Sequence, residues 1–149
     1  MFKRYGCAIT VAVLAAVAGA GCGGDDEKPL SKAEYIKQGD AICKKAQASG
    51  EKKVEEMFGD LGPNEKPSDE QLTTLVEDVI KPNTQGQLND LRDLTPPEGD
   101  EDTVNGIYDG VEDGLAKVED DPKILLSKDD PFAPATKKAE EYGFKECSK

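Results

Sequence analysis

Residues 99–120 read GDEDTVNGIYDGVEDGLAKVED, and this stretch decides the fold class. Its apolar residues recur at steps of three and four, which places them on one side of a helix with 3.6 residues per turn. They are Val104, Ile107, Tyr108, Val111, Leu115 and Val118. The pattern predicts an amphipathic helix from about Gly99 to Asp120.

Two other segments begin with a capping box, in which a serine side chain and an acidic or amide side chain satisfy the first free N–H groups of a helix. Residues 31–34 (SKAE) predict the start of a first helix, and residues 68–71 (SDEQ) predict the start of a second. The predicted inward face of the first helix contains Ile36, Gly39, Ile42, Cys43, Ala46, Gly50, Val54 and Met57. The apolar face of the second contains Leu72, Leu75, Val76, Val79, Ile80, Leu88, Leu91 and Leu94.

Proline and glycine residues mark the boundaries between these elements. Residues 59–67 contain two prolines and two glycines and predict a loop. Pro82 lacks a backbone donor, so it must kink or break the second helix, and we favour one kinked helix over two. Residues 95–97 (TPP) end that element, because neither proline can donate a backbone hydrogen bond.

The C-terminal part predicts two further short elements. Residues 123–128 are expected to add one turn, and Asp130-Pro131 is expected to open a last helix that Gly143 caps. No strand pattern is present in the sequence. The expected fold is therefore all-α, a small bundle of four to five helices.

The N-terminus has the organisation of an export signal. Lys3 and Arg4 precede an apolar run of about a dozen residues at 8–18, whereas a membrane-spanning helix needs roughly 20. Residues 19–22 (GAGC) resemble a lipobox, in which the cysteine is acylated and becomes the new N-terminus, although Gly19 stands where a larger aliphatic residue is usual. The alternative is ordinary secretory cleavage that leaves Cys22 as a free thiol. We expect a signal peptide at 1–21, a lipidated Cys22 with a flexible acidic spacer at 22–30, and a helical domain at 31–149.

The charge balance limits the classes of partner. The chain has a net charge of −12, and loss of Lys3 and Arg4 with the signal lowers it to −14. Such an anionic domain is not attracted to nucleic acid or to anionic lipid head groups. Solubility explains this charge, and attraction of cations or of a basic partner is the alternative.

The four cysteines have different expected fates. Cys7 leaves with the signal and Cys22 takes lipid, which leaves Cys43 and Cys147 in an oxidising compartment. We expect these two to form a disulfide that closes a loop of 104 residues. A redox-active or metal-binding pair is the alternative, but the sequence has neither a C-x-x-C motif nor a histidine.

The absence of histidine from the whole sequence argues against an enzyme. It removes the usual general base near neutral pH, the Ser-His and Cys-His nucleophiles and histidine-ligated metals. The 31 acidic residues are expected to be solvated helix faces rather than paired catalytic carboxylates. We therefore predict no catalytic residue, no metal site and no cofactor.

Two patterns on the 99–120 helix admit a second interpretation. Residues 101–112 place oxygen-bearing side chains at loop positions 1, 3, 5, 9 and 12 and a glycine at position 6, which partly matches an EF-hand calcium loop. An uninterrupted helix fits the same residues. Gly106, Gly110 and Gly114 recur every fourth residue, which indicates close packing against a neighbouring helix, a shallow ligand groove or a locally loose helix.

The chain resembles the small uncharacterised lipoproteins of actinobacteria. The residues that carry the resemblance are Gly21-Cys22, residues 35–43 (YIKQGDAIC), residues 88–98 ending in PPE, and Tyr142-Gly143-Phe144 before Cys147. The resemblance implies an exported, lipid-anchored helical domain and carries over no functional residue.

The sequence thus predicts a lipid-anchored, extracytoplasmic, non-enzymatic binding or interaction module with an unknown partner. The alternative is a carrier of a small apolar or amphiphilic molecule, with a pocket beside the glycine stripe formed by Gly106, Gly110 and Gly114. An open cavity lined by Leu, Ile and Val side chains would favour the carrier.

Overall fold

A computed structural model describes residues 28–62 and 65–149 of the chain. The regular secondary structure of these residues is helical. The α-helices are α1 (Lys32–Phe58), α2 (Asp69–Leu75), α3 (Lys81–Arg92), α4 (Glu101–Asp120) and α5 (Ala133–Tyr142). No strand occurs among these described residues, so the all-α prediction is confirmed. The predicted signal peptide, Cys22 and most of the spacer lie outside the described residues.

Both predicted capping serines start a helix. The Ser68 hydroxyl accepts from the Gln71 backbone N–H at 3.2 Å, and the Gln71 side chain accepts from the Ser68 N–H at 2.8 Å. The Ser31 hydroxyl accepts from the Glu34 N–H at 3.3 Å. The Glu34 carboxylate accepts from the Gln38 side chain at 3.3 Å. At the start of α1, the serine hydrogen bond of the predicted capping box is therefore present without the reciprocal glutamate bond.

Pro82 is accommodated inside one continuous helical backbone. A single π-helical turn (Val76–Ile80) joins α2 to α3, and the Lys81 N–H bonds to the Val76 carbonyl five residues back. The extra residue in this turn gives the proline ring room without breaking the helix. The preference for one helix over two is confirmed.

The predicted inward face of α1 is buried only in its first half. Tyr35, Gly39 and Cys43 are buried, whereas Val54 is 38% exposed. The expectation that Val54 points into the core is therefore wrong. Periodicity shows which residues share a face, but it does not show how far the neighbouring elements, here α3 and the π-helical turn, extend along it.

Most of the buried apolar residues fall into two sets, one packed as a single cluster and one on α2, the π-helical turn and the last part of α4. The first, which we call the disulfide end, contains Tyr35, Cys43, Leu88, Leu91, Val104, Ile107, Tyr108, Ala139, Tyr142 and Phe144. The second, which we call the α2 end, contains Leu72, Leu75, Val76, Val79, Leu115 and Val118. A 3-10 segment (Pro122–Leu126), close to the predicted turn at 123–128, packs against α2 and α4 at this end.

The last helix brings the C-terminus back to α1. Gly143 has φ 117°, a left-handed conformation that favours glycine, and its N–H caps α5 as predicted. The chain then turns so that Phe144 is buried beside Tyr35, with ring centroids 6.1 Å apart. Residues 144–149, which we call the tail, therefore lie against the first half of α1.

Candidate functional site

The predicted disulfide is present and fixes the tail to α1. Cys43 and Cys147 are bonded with their Cα atoms 5.1 Å apart, at a sequence separation of 104. Cys43 is fully buried and Cys147 half-buried. The pairing inferred from the cysteine count is confirmed.

Asp40 holds the same tail through hydrogen bonds. Its carboxylate accepts from the backbone N–H groups of Lys145 at 3.0 Å, Glu146 at 2.8 Å and Cys147 at 3.3 Å. Bonds from N–H groups to a charged carboxylate are stronger than those to a neutral acceptor. Sequence reasoning missed this role, since nothing in the spacing of acidic residues distinguishes Asp40 from the other carboxylates.

An apolar cleft of about 270 Å³ lies beside the disulfide, between α1, α3, α4, α5 and the tail. Its lining includes Leu, Ile and Val side chains, as expected for the carrier alternative. The apolar residues that line it are Leu88, Leu91, Ile107, Tyr108, Val111, Phe132, Ala135, Ala139 and Phe144, together with the two disulfide cysteines.

Polar side chains also line this cleft. They are Gln47, Thr84, Gln87, Asp130, Thr136 and Lys149. Asp130 and Lys149 are exposed, so the cleft opens to solvent on their side. The Gln47 amide donates to the Glu146 carbonyl at 2.6 Å, and the Gln87 amide donates to the Cys43 sulfur at 2.9 Å. The cleft therefore combines an apolar interior with a few hydrogen-bonding groups, as small-molecule sites do.

The glycine stripe of α4 faces α5. A Cβ atom at Gly114 would lie 2.5 Å from the Phe132 ring, and one at Gly110 would lie 3.1 Å from the Ala135 Cβ. Close packing between α4 and α5 therefore explains these two glycines. Phe132 and Ala135 also line the cleft, while the glycines themselves do not. Close packing therefore accounts for Gly110 and Gly114 but not for Gly106, which lines a shallow surface pocket with Lys32, Lys138 and Tyr142.

The segment with the partial EF-hand pattern is a regular helix. Residues 101–112 form the first half of α4, so their oxygen-bearing side chains point around the helix instead of converging on a common centre. No cluster of three or more acidic or cysteine side chains with metal-binding geometry occurs in the described part of the chain. The uninterrupted-helix interpretation is confirmed.

Three buried tyrosines are the main titratable groups inside the domain. Tyr35 donates to the Tyr108 hydroxyl, which donates to the Leu91 carbonyl at 3.1 Å. Tyr142 donates to the Asp100 carboxylate at 2.9 Å. Burial raises the pKa of all three hydroxyls above the usual value, and the bond to Asp100 raises the pKa of Tyr142 further. These hydroxyls stay protonated and bonded to structural partners, which suits packing rather than proton transfer.

Comparisons with protein-family models, curated proteins and solved structures return no match for this chain. In the described residues, no helix has both the length and the apolar content required to cross a membrane.

Proposed function

We propose that this chain is an exported lipoprotein of the cell envelope, anchored to the membrane through lipid on Cys22 and related to the small lipoproteins of actinobacteria. The N-terminal signal pattern and the lipobox-like GAGC sequence support the anchor. The Cys43–Cys147 disulfide supports a position outside the cytoplasm, because disulfides persist in oxidising compartments.

The helical domain acts in this proposal as a non-enzymatic binding module whose partner is a small apolar or amphiphilic molecule. The single observation that carries this function is the open apolar cleft of about 270 Å³ beside the disulfide. The chain has no histidine, and no charged side chain is buried in the described part of the domain. These features favour binding without chemical conversion of the ligand.

The anchor is tested by substitution of Cys22 in the original host. Cys22→Ala is expected to abolish acylation and release the protein from the membrane fraction, measured by intact mass and by fractionation. Cys7→Ala is the matched control, because Cys7 leaves with the signal peptide and its loss should change neither readout. An unmodified mature N-terminus in the unsubstituted protein would overturn the anchor.

The ligand is tested by native mass spectrometry of the protein purified from its own host. We expect an adduct of constant mass that is lost in Val111→Phe, because a phenyl ring at this half-buried position fills the cleft. Val54→Phe is the control, since Val54 lies on α1 away from the cleft and is largely exposed. A bare protein mass under conditions that preserve weak complexes would contradict the binding function.

A further inference from the structure

The cleft contains one amide donor whose acceptor is poor. Gln87 directs its side-chain nitrogen at the Cys43 sulfur, 2.9 Å away. A disulfide sulfur carries no hydrogen, so the group that faces it must be the NH₂ of the amide. Sulfur is a weak acceptor, and the Gln87 N–H would form a stronger hydrogen bond with an oxygen. Gln47, in contrast, already donates to a backbone carbonyl.

The size of the cleft limits what can bind. An apolar cavity of about 150 Å³ is large enough to hold benzene. The cleft of about 270 Å³ therefore has room for one ring with a short substituent, and it is smaller than the 300–1,000 Å³ typical of sites for drug-sized ligands.

The charges around the cleft select against ions. Of the described residues that line it, the two charged ones are Asp130 and Lys149, which have opposite signs and are both exposed. Asp130 accepts from the Phe132 N–H at 2.9 Å, and Lys149 lies 2.7 Å from the Glu146 carboxylate. A charged ligand would lose its hydration without gaining an unoccupied partner of opposite charge.

We infer that the ligand is a neutral molecule of single-ring size that places one hydrogen-bond-accepting oxygen against the side-chain amide of Gln87. The ring lies among Leu88, Ile107 and Val111, and the oxygen replaces the Cys43 sulfur as the acceptor of the Gln87 N–H. This inference rests on the proposed binding function and specifies its ligand class.

The test uses the full chain in detergent micelles, with empty micelles measured in parallel. Binding is followed by NMR of the methyl groups of Leu88, Ile107 and Val111, and the methyl groups of the α2 end report nonspecific effects. The probes are acetophenone, which has a carbonyl oxygen, and ethylbenzene, which has a similar shape without it. Benzoate and benzylammonium provide the anionic and cationic probes.

Acetophenone and ethylbenzene are both expected to shift the cleft methyl groups, and the two ions to bind at least about tenfold more weakly. Gln87→Met is expected to weaken acetophenone binding about tenfold and to leave ethylbenzene binding unchanged, because one hydrogen bond is lost. Gln85→Met on the same helix is the matched control, since Gln85 is exposed and lies outside the cleft. An unchanged thermal midpoint in Gln87→Met verifies that the fold is intact.

The possible failures are distinguishable. If both neutral probes bind but Gln87→Met weakens them equally or not at all, or if the ions bind as well as acetophenone, the ligand class is overturned and the binding function survives. If neither neutral probe shifts the cleft methyl groups, the cleft is not a ligand site and the proposed binding function fails with the inference.

Discussion

The disulfide end buries tyrosine and phenylalanine rings around a covalent link, whereas the α2 end buries leucine and valine side chains beside a short 3-10 segment. At the disulfide end, Tyr35 packs edge to face on Tyr142 at 6.2 Å, and Tyr35 and Tyr108 bond to each other inside the core. At the α2 end, two ion pairs lie at the surface, Lys81 with Glu119 and Lys123 with Asp69. Exposed ion pairs add little to stability.

The disulfide end is the part of the domain that can hold a binding site rigidly. The cleft lies at the disulfide end, and its tail wall is fixed by both the disulfide and the Asp40 carboxylate. A preformed apolar site needs walls that do not collapse when the ligand leaves. The α2 end, which depends on aliphatic packing, is the part of the domain expected to open first.

Removal of the disulfide is expected to have the largest effect on the stability of the domain. The double variant Cys43→Ser, Cys147→Ser is expected to lower the free energy of unfolding by about 4.7 kcal/mol, because the unfolded chain regains the freedom of a loop of about 100 residues. Urea denaturation followed by circular dichroism measures this loss. Cys22→Ser is the control and should leave the midpoint unchanged. A loss below about 1 kcal/mol in the double variant would show that the disulfide does not make the disulfide end more stable than the α2 end.

Hydrogen exchange tests the comparison directly. Backbone amides of Leu72, Leu75 and Val79 are expected to exchange through an opening that costs about 3 kcal/mol less than the opening at Tyr35 and Ile107. The reason is that α2 is the N-terminal segment of the continuous α2–α3 helix, and helix termini open more readily than helix interiors. Equal opening free energies at both ends would mean that the domain unfolds as one cooperative unit.

Asp40→Ala should loosen the tail without breaking the disulfide. The variant removes the acceptor of the N–H groups of Lys145 and Glu146, and the free energy of unfolding is expected to fall by about 2 kcal/mol. The tail amides should also exchange faster. Asp109→Ala, at an exposed position on α4, is the control and should change stability by less than about 0.5 kcal/mol. Equal effects in the two variants would contradict a specific role for Asp40.

Two glycines on α4 should respond in opposite directions to substitution by alanine. Gly114→Ala places a Cβ against Phe132 and 3.0 Å from the Pro131 carbonyl oxygen, so a loss of about 1.5 kcal/mol is expected. Gly106→Ala meets only the flexible tip of Lys138 at 3.7 Å, so a gain of about 1 kcal/mol is expected from the better helix propensity of alanine. Thermal unfolding of both variants checks the signs. A stabilising Gly114→Ala would show that α5 does not pack closely there.

Sequence reasoning located the elements well because their signals are local. Helix periodicity, the Ser68 cap, the Gly143 cap and the pairing of Cys43 with Cys147 all follow from short patterns or from a count of residues. The same reasoning placed Val54 in the core, which is wrong, because a periodic face does not reveal whether a partner covers it. It also left the role of the α4 glycines open between close packing, a ligand groove and a locally loose helix.

The all-α fold could be predicted from residue spacing along the chain, and the Cys43–Cys147 pairing from the cysteine count. Only the tertiary structure showed the cleft, the hold of Asp40 on the tail and the amide of Gln87 against the Cys43 sulfur. The contacts of Gln87 and Asp40 join residues 44 to 107 positions apart. Such contacts depend on how whole helices pack together, and the spacing of residues within a single helix does not encode that packing.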